Sequence, residues 1–203
     1  VAGCGQPSVD ELARQLICPA AAPGQVMQAL TGTAEQLRER GQIDGHLRVD
    51  ANDGVTLDAW MIRSRFVHTL PDGSRRKLTR GTVIILHPLL TSKTWFLEFG
   101  ESLAGRGWDV ILPDLRGHGR SEGEYITWGA KEKHDVKAIV DAVAADGTLI
   151  EPVYAVGASL GGMVAVQYGA IDPRCRGVLA VAPPKSCREI TRRVLLMESE
   201  KRY

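Results

Sequence analysis

Residues 153–162 read Val-Tyr-Ala-Val-Gly-Ala-Ser-Leu-Gly-Gly, a short apolar run that meets a G-x-S-x-G corner and passes directly into an apolar stretch of helical length. Few folds accommodate that order. The run before the corner has the length and β-branched content of a buried strand, and the stretch after it is long enough for a buried helix. With no loop between them, the chain must turn sharply at Ser159. Its hydroxyl then projects from the end of the sheet, and the next backbone N–H points to where an oxyanion would form on an attacked carbonyl. Gly157 and Gly161 have a steric task, because neither brings a Cβ to the place where strand and helix pass closely. A bare G-x-S-x-G arises by chance in other settings. Here the strand before it and the helix after it mark Ser159 as a candidate nucleophile.

The rest of the chain fits around that corner. Residues 8–18 predict an amphipathic helix with a Ser8/Glu11 capping box, stopped by Pro19. A second helix is predicted from Pro23 to Arg40 and capped by Gly41. Ile43–Ala51 and Val55–Arg63 alternate around Asn52-Asp53-Gly54, a hairpin signal. Pro71-Asp72-Gly73 is a turn, and Arg75–Arg80 reads as a solvated basic loop. From Thr82 the pattern is strand, helix, strand, helix. Strands are predicted at Val83–Leu86, Val110–Leu112, Val153–Val156 and Val178–Val181, with helices at Thr94–Arg106, Lys131–Ala145 and Leu160–Ile171. In the helix from Lys131, the residues Val136, Ile139, Val140 and Val143 share one face. Continuous apolar strands alternating with helices imply a mostly parallel sheet covered on both faces, with the leading hairpin as antiparallel edge strands.

Composition narrows the function classes. A chain of 203 residues with 44% hydrophobic and 24% charged residues suits one globular domain. A formal charge of +1 gives no electrostatic footprint for nucleic acid. No run of about 20 apolar residues is present. There is no G-x-x-x-x-G-K-[ST] and no G-x-G-x-x-G after a strand, which argues against a nucleotide-binding α/β domain. Cys18, Cys175 and Cys187 have no metal-ligand spacing. They read as free or buried thiols, with a disulfide open in an oxidising compartment. No metal and no cofactor is expected.

The order of elements and three motifs resemble the α/β-hydrolase superfamily, most nearly its serine-aminopeptidase-like and lysophospholipase-like members, over roughly 45–184. The motifs are the corner around Ser159, Asp114-Leu115-Arg116-Gly117-His118-Gly119-Arg120-Ser121 after the fourth strand, and His87-Pro88-Leu89-Leu90 after the third. The tract 121–125 that leads toward Lys131 also looks typical of that subgroup. The resemblance implies an α/β-hydrolase fold with Ser159 as catalytic nucleophile. It implies an oxyanion hole made by the N–H groups of Leu160 and Leu89, with Gly157, Gly161, His87, Asp114 and His118 supporting the motifs. Pro88 stands where the family has glycine; it shapes the loop and leaves the Leu89 N–H available. His118 is expected to serve its tight turn, and His87, at the mouth of the site, is the first suspect for a stand-in base.

The same resemblance exposes a gap. The superfamily presents nucleophile, acid and histidine in that chain order. The five histidines here (His46, His68, His87, His118 and His134) all precede Ser159. Ala182-Pro183-Pro184-Lys185 offers no carboxylate either, and Glu189 reads as the start of a surface helix. The expectation is an α/β-hydrolase lacking its C-terminal strands: 1–42 an N-terminal segment, 43–184 the hydrolase core, and 185–203 the beginning of a cap-like segment. The function expected is hydrolysis of a small-molecule or lipid ester or amide through an acyl-enzyme on Ser159. Esterase, lysophospholipase, thioesterase and aminopeptidase all stay open. The alternative is a non-catalytic binding protein on the same scaffold.

The first residues, Val1-Ala2-Gly3-Cys4, resemble a bacterial lipobox, in which the cysteine carries the lipid. That reading places the protein at the cell envelope, held to a membrane surface through acyl chains on Cys4. Without it, the expectation is a cytoplasmic location.

Overall fold

The computed structural model describes residues 31–186. Helix α1 (Ala34–Glu39) opens with a full capping box: the Gln36 N–H donates to Thr33 Oγ1 at 3.3 Å, and the Thr33 N–H donates to Gln36 Oε1 at 2.9 Å. This start interrupts the helix expected across 23–40. Gly32 takes φ +105° and Thr33 is extended, so no continuous helix passes through them. Gly41, at φ +68°, closes α1. The helix expected over 8–18 lies outside the described residues, as do Cys4, Cys18 and Cys187.

Strands β1 (Gly45–Asp50) and β2 (Thr56–Ile62) form the hairpin, with Leu47 opposite Ala59 and Val49 opposite Leu57. A small second sheet follows, in which β3 (Val67–Thr69) pairs antiparallel with β4 (Arg75–Lys77). The basic stretch from Arg75 is therefore a strand at its beginning and not a loop throughout. Its turn is closed by the Ser74 N–H donating to Asp72 Oδ1 at 2.9 Å. All six strand residues are exposed, so no buried face prints an alternation in the sequence.

The main sheet then runs β5 (Thr82–Leu86), a 3₁₀ turn (Lys93–Phe96) into α2 (Leu97–Gly105), β6 (Asp109–Pro113), α3 (Glu132–Ala145), β7 (Val153–Ala158), α4 (Leu160–Gly169) and β8 (Cys175–Val181). Its order is β1-β2-β6-β5-β7-β8, antiparallel as far as β6 and parallel beyond it. Residues of β5 alternate between two cores. Ile84 and Leu86 join Ile111, Val136, Ile139, Val140, Val143, Leu160 and Val164 on one face; Val83 and Ile85 join Trp60, Ile62, Leu97, Val110 and Leu112 on the other. That double burial is why the strand is apolar at nearly every position. The C-terminal ends of β5, β6 and β7 meet at one rim, where the site is built. On the far side of β7, edge strand β8 leaves Val178, Leu179 and Val181 exposed at 40, 58 and 52%.

Candidate active site

Ser159 sits alone between β7 and α4, at φ +50° and ψ −116°. A non-glycine residue held there costs about 1–3 kcal/mol and persists only where its surroundings over-determine it. They do. The Ser159 N–H donates to Val181 O at 2.9 Å, and the Met163 N–H to Ser159 O at 3.1 Å. A Cβ on Gly157 would lie 2.2 Å from Gly161 O, and one on Gly161 would lie 2.1 Å from Leu86 O. No side chain fits at either position without moving backbone. Leu160 is the first residue of α4, so its N–H has no acceptor within the helix.

The loop after β5 lies against this corner, since the absent Gly161 Cβ would also come within 2.8 Å of His87 O. In that loop Leu90 takes φ +62°. The Leu89 N–H makes no hydrogen bond among the described residues. Three of the four described non-glycine residues at positive φ, Leu90, Ser159 and Ala182, follow the ends of β5, β7 and β8 at one rim of the sheet; the fourth is Trp128.

His87 is fully buried and both its ring nitrogens are engaged: Nδ1 donates to Pro88 O at 2.8 Å, and Nε2 accepts the Leu115 N–H at 2.9 Å. Burial, with the neighbouring His118 next, pushes its pKa down to about 4. A neutral ring with no free nitrogen holds two loops together and has no lone pair to offer Ser159, so the suspicion that it acts as base finds no support in this geometry. His118 packs edge-on at 4.9 Å between ring centroids. Its Nδ1 donates to Arg116 O at 3.0 Å, and its Nε2 accepts the Leu90 N–H at 3.4 Å. Burial lowers its pKa as well. His134 is exposed on α3, and among the described residues no imidazole or carboxylate engages the Ser159 hydroxyl.

Asp114 anchors the turn after β6. One of its oxygens accepts the Lys93 N–H at 2.8 Å; the other accepts the Arg120 N–H at 2.8 Å and the Lys93 ammonium. Gly119 is required there, because any Cβ would overlap the carboxylate at 2.1 Å. The sequence reading missed most of the polar network behind this turn. Lys93, 1% exposed, also lies 2.7 Å from Asp58 Oδ1, off the hydrogen-bonding direction, and His46 Nε2 is 2.6 Å from Asp58 Oδ2. Burial raises the Asp58 pKa, but Lys93 and His46 outweigh it and hold the carboxyl below its usual value. Asp58 had a legible signal: it shares a strand face with Trp60 and Ile62. Arg116 is clamped by two 2.6 Å bonds to Asp135 and one of 3.0 Å to Asp53. Buried Glu132 accepts from the Thr127 N–H, the Thr127 hydroxyl and the Gly129 N–H at 2.6–2.7 Å. These groups shape the rim and do not reach Ser159. Among the described residues no cluster of three or more His, Cys, Asp or Glu could hold a metal ion.

Residues 77–198, more than half of the chain, match the serine aminopeptidase S33 family. The chain belongs to that family. Its fold is that of the α/β-hydrolases. The esterase Pf2001 of Pyrococcus furiosus superposes with a TM-score of 0.70 at 23% identity, over 91% of this chain and 63% of that one. XC6422 of Xanthomonas campestris, described as an α/β serine hydrolase without a lid, superposes with a TM-score of 0.54 at 22% identity, over 70% and 62%. The uncharacterised protein YqkD of Bacillus subtilis is 26% identical over 114 residues, 53% of this chain and 36% of YqkD. The S33-family chain thus spans less than two thirds of the length of each of these proteins.

Proposed function

We propose that this S33-family chain carries the nucleophilic half of a hydrolase of carboxylic esters or amides. Ser159 Oγ adds to the substrate carbonyl, and the oxyanion is held by the Leu160 and Leu89 N–H groups. The alcohol or amine leaves, and water releases the acyl group from Ser159. The observation that carries this reading is the backbone of Ser159, held at positive φ between β7 and α4 where Gly157 and Gly161 clear the crossing. The acid and histidine belong to further strands laid against β8. The apolar edge of β8 and the greater length of the structural relatives support that placement. The esterase character of Pf2001 favours an ester as substrate. Lipidation of Cys4 and an envelope location are proposed from the sequence alone; among the described residues no helix is long and apolar enough to cross a membrane.

One observation favours the second reading, a binding protein on the hydrolase scaffold: no described base contacts Ser159. Intact-mass analysis after treatment with a fluorophosphonate separates the two. One adduct on the parent and none on Ser159→Ala supports the hydrolase. No adduct on folded parent, at probe concentrations that label an authentic serine esterase, means that this chain does not power Ser159 by itself; no adduct in a chain extended to the length of the structural relatives either sinks the hydrolase reading and leaves the binding protein.

A further inference from the structure

We propose that Lys93 is a positioning residue that fixes the loop carrying Leu89; the inference rests on reading the Leu89 N–H as an oxyanion donor. Residues 87–92 are tied to the turn after β6 at three places. At the head, His87 Nε2 accepts the Leu115 N–H at 2.9 Å. At the centre, the Leu90 N–H donates to His118 Nε2 at 3.4 Å. At the tail, the Lys93 N–H donates to Asp114 Oδ1 at 2.8 Å, and the Lys93 ammonium binds the other oxygen of the same carboxylate. The ammonium also pairs with Asp58 on β2 at 2.7 Å and lies 4.9 Å from the centre of the Trp60 ring. One side chain therefore joins the loop to β2 and to the end of β6, with none of its surface in water.

Stability alone is a poor account of this arrangement. Desolvating each ion costs several kcal/mol, and apolar replacements of matched volume are often neutral or better. Apolar packing, however, tolerates sliding. An ammonium held on the same Asp114 carboxylate that takes the loop's own Lys93 N–H fixes distance and direction. The loop needs that constraint, because Leu90 at φ +62° would otherwise relax and swing the adjoining Leu89 N–H. Displacing a catalytic group by about 1 Å costs on the order of 10²-fold in rate, and losing one oxyanion donor costs about 10²–10³-fold.

The test uses the 203-residue chain and three variants. Lys93→Met leaves two buried carboxylates facing each other and can fail to fold, so Lys93→Met/Asp58→Asn, which removes one of them, is made beside it. Asp58→Asn alone is the control, because it deletes a buried charge while leaving Lys93 on Asp114. Three quantities are read well below each melting temperature: the first-order rate of phosphonylation at Ser159 with the probe's KI, Tm, and hydrogen exchange of the peptide 87–93. The expected result is a 10- to 100-fold slower first-order step with unchanged KI and faster exchange at Leu89 and Leu90 in the Lys93 variants. Asp58→Asn should lose Tm but keep the parent's rate and exchange. Parent-like rate and exchange in the Lys93 variants, or losses that follow Tm across all three, would overturn the proposal. If the parent itself takes no phosphonate, Ser159 is not powered within this chain, and exchange in 87–93 alone decides whether Lys93 holds the loop.

Discussion

β5 and β8 flank the same strand, β7, and both are written largely in small and apolar residues, yet their surroundings are opposite. β5 is buried at all five positions, between two cores. β8 pairs with β7 along its length, with a register irregularity at its start, but turns Val178, Leu179 and Val181 outward. On the β5 side the crossing is closely packed: Gly157 and Gly161 clear it, and His87 and Lys93 tie the following loop to the turn after β6. On the β8 side, among the described residues, nothing covers a strand with a buried strand's sequence. The acid and base are absent among the described residues on that same side. The contrast separates what makes a serine presentable, which is local to β5 and β7, from what makes it reactive.

The largest expected effect tests how closely packed the β5 side is. In Gly161→Ala the new Cβ would sit 2.1 Å from Leu86 O and 2.5 Å from Leu86 C, so strand and helix backbone must separate. The loss should exceed about 4 kcal/mol, read as a fall in Tm of about 10 °C or more, or as failure to recover folded protein. Gly105→Ala at the end of α2 meets nothing within 4 Å and should be neutral or slightly stabilising. If both variants melt like the parent, the junction is looser than the distances require.

The second effect is an acid limb set by His87. Unfolded, the ring takes up a proton near pH 6.5; folded, burial delays that to about 4. Between those values the unfolded chain binds more protons, so this contribution is whole above pH 6.5 and is lost as pH falls toward 4. It amounts to about 3 kcal/mol if His87 acts alone, and His118, lowered by the same burial, adds in the same direction. His87→Gln keeps an acceptor for the Leu115 N–H without the titration. It should start less stable at neutral pH and show a shallower decline in urea midpoint from pH 7 to 4.5. An unchanged slope would place the acid sensitivity elsewhere.

What the sequence disclosed follows the same division. The corner at Ser159, the steric need for Gly157 and Gly161, and the buried face of α3 (Val136, Ile139, Val140, Val143) were legible because their constraints act between near neighbours or repeat with a fixed period. The β3–β4 pair was not, because both its faces meet water. The break at Gly32-Thr33 was missed because the apolar periodicity continues across a capping box. Lys93 could not be read at all: a lysine between Ser92 and Thr94 looks solvated, and its carboxylate partner stands 21 residues further along the chain. Buried charge is chosen by long-range pairing, which a single sequence does not print. The open edge of β8 was visible in outline, since Val178–Val181 is apolar on both faces whether or not anything covers it.

The smallest expected effect is on that edge, and it is the sharpest test of the comparison. Leu179 is 58% exposed, so in the 203-residue chain Leu179→Lys should change the unfolding free energy by less than about 0.5 kcal/mol, as substitutions on open surface do. It should also reduce concentration-dependent self-association in light scattering, because a charge on an apolar edge blocks strand pairing. The equivalent change in β5, Ile85→Lys, buries an ammonium among apolar side chains and should prevent folding. A loss of several degrees in Tm from Leu179→Lys, with no change in association, would mean that β8 is covered in the 203-residue chain. The contrast between the two strands would then lie in what packs on them and no longer in whether they are covered.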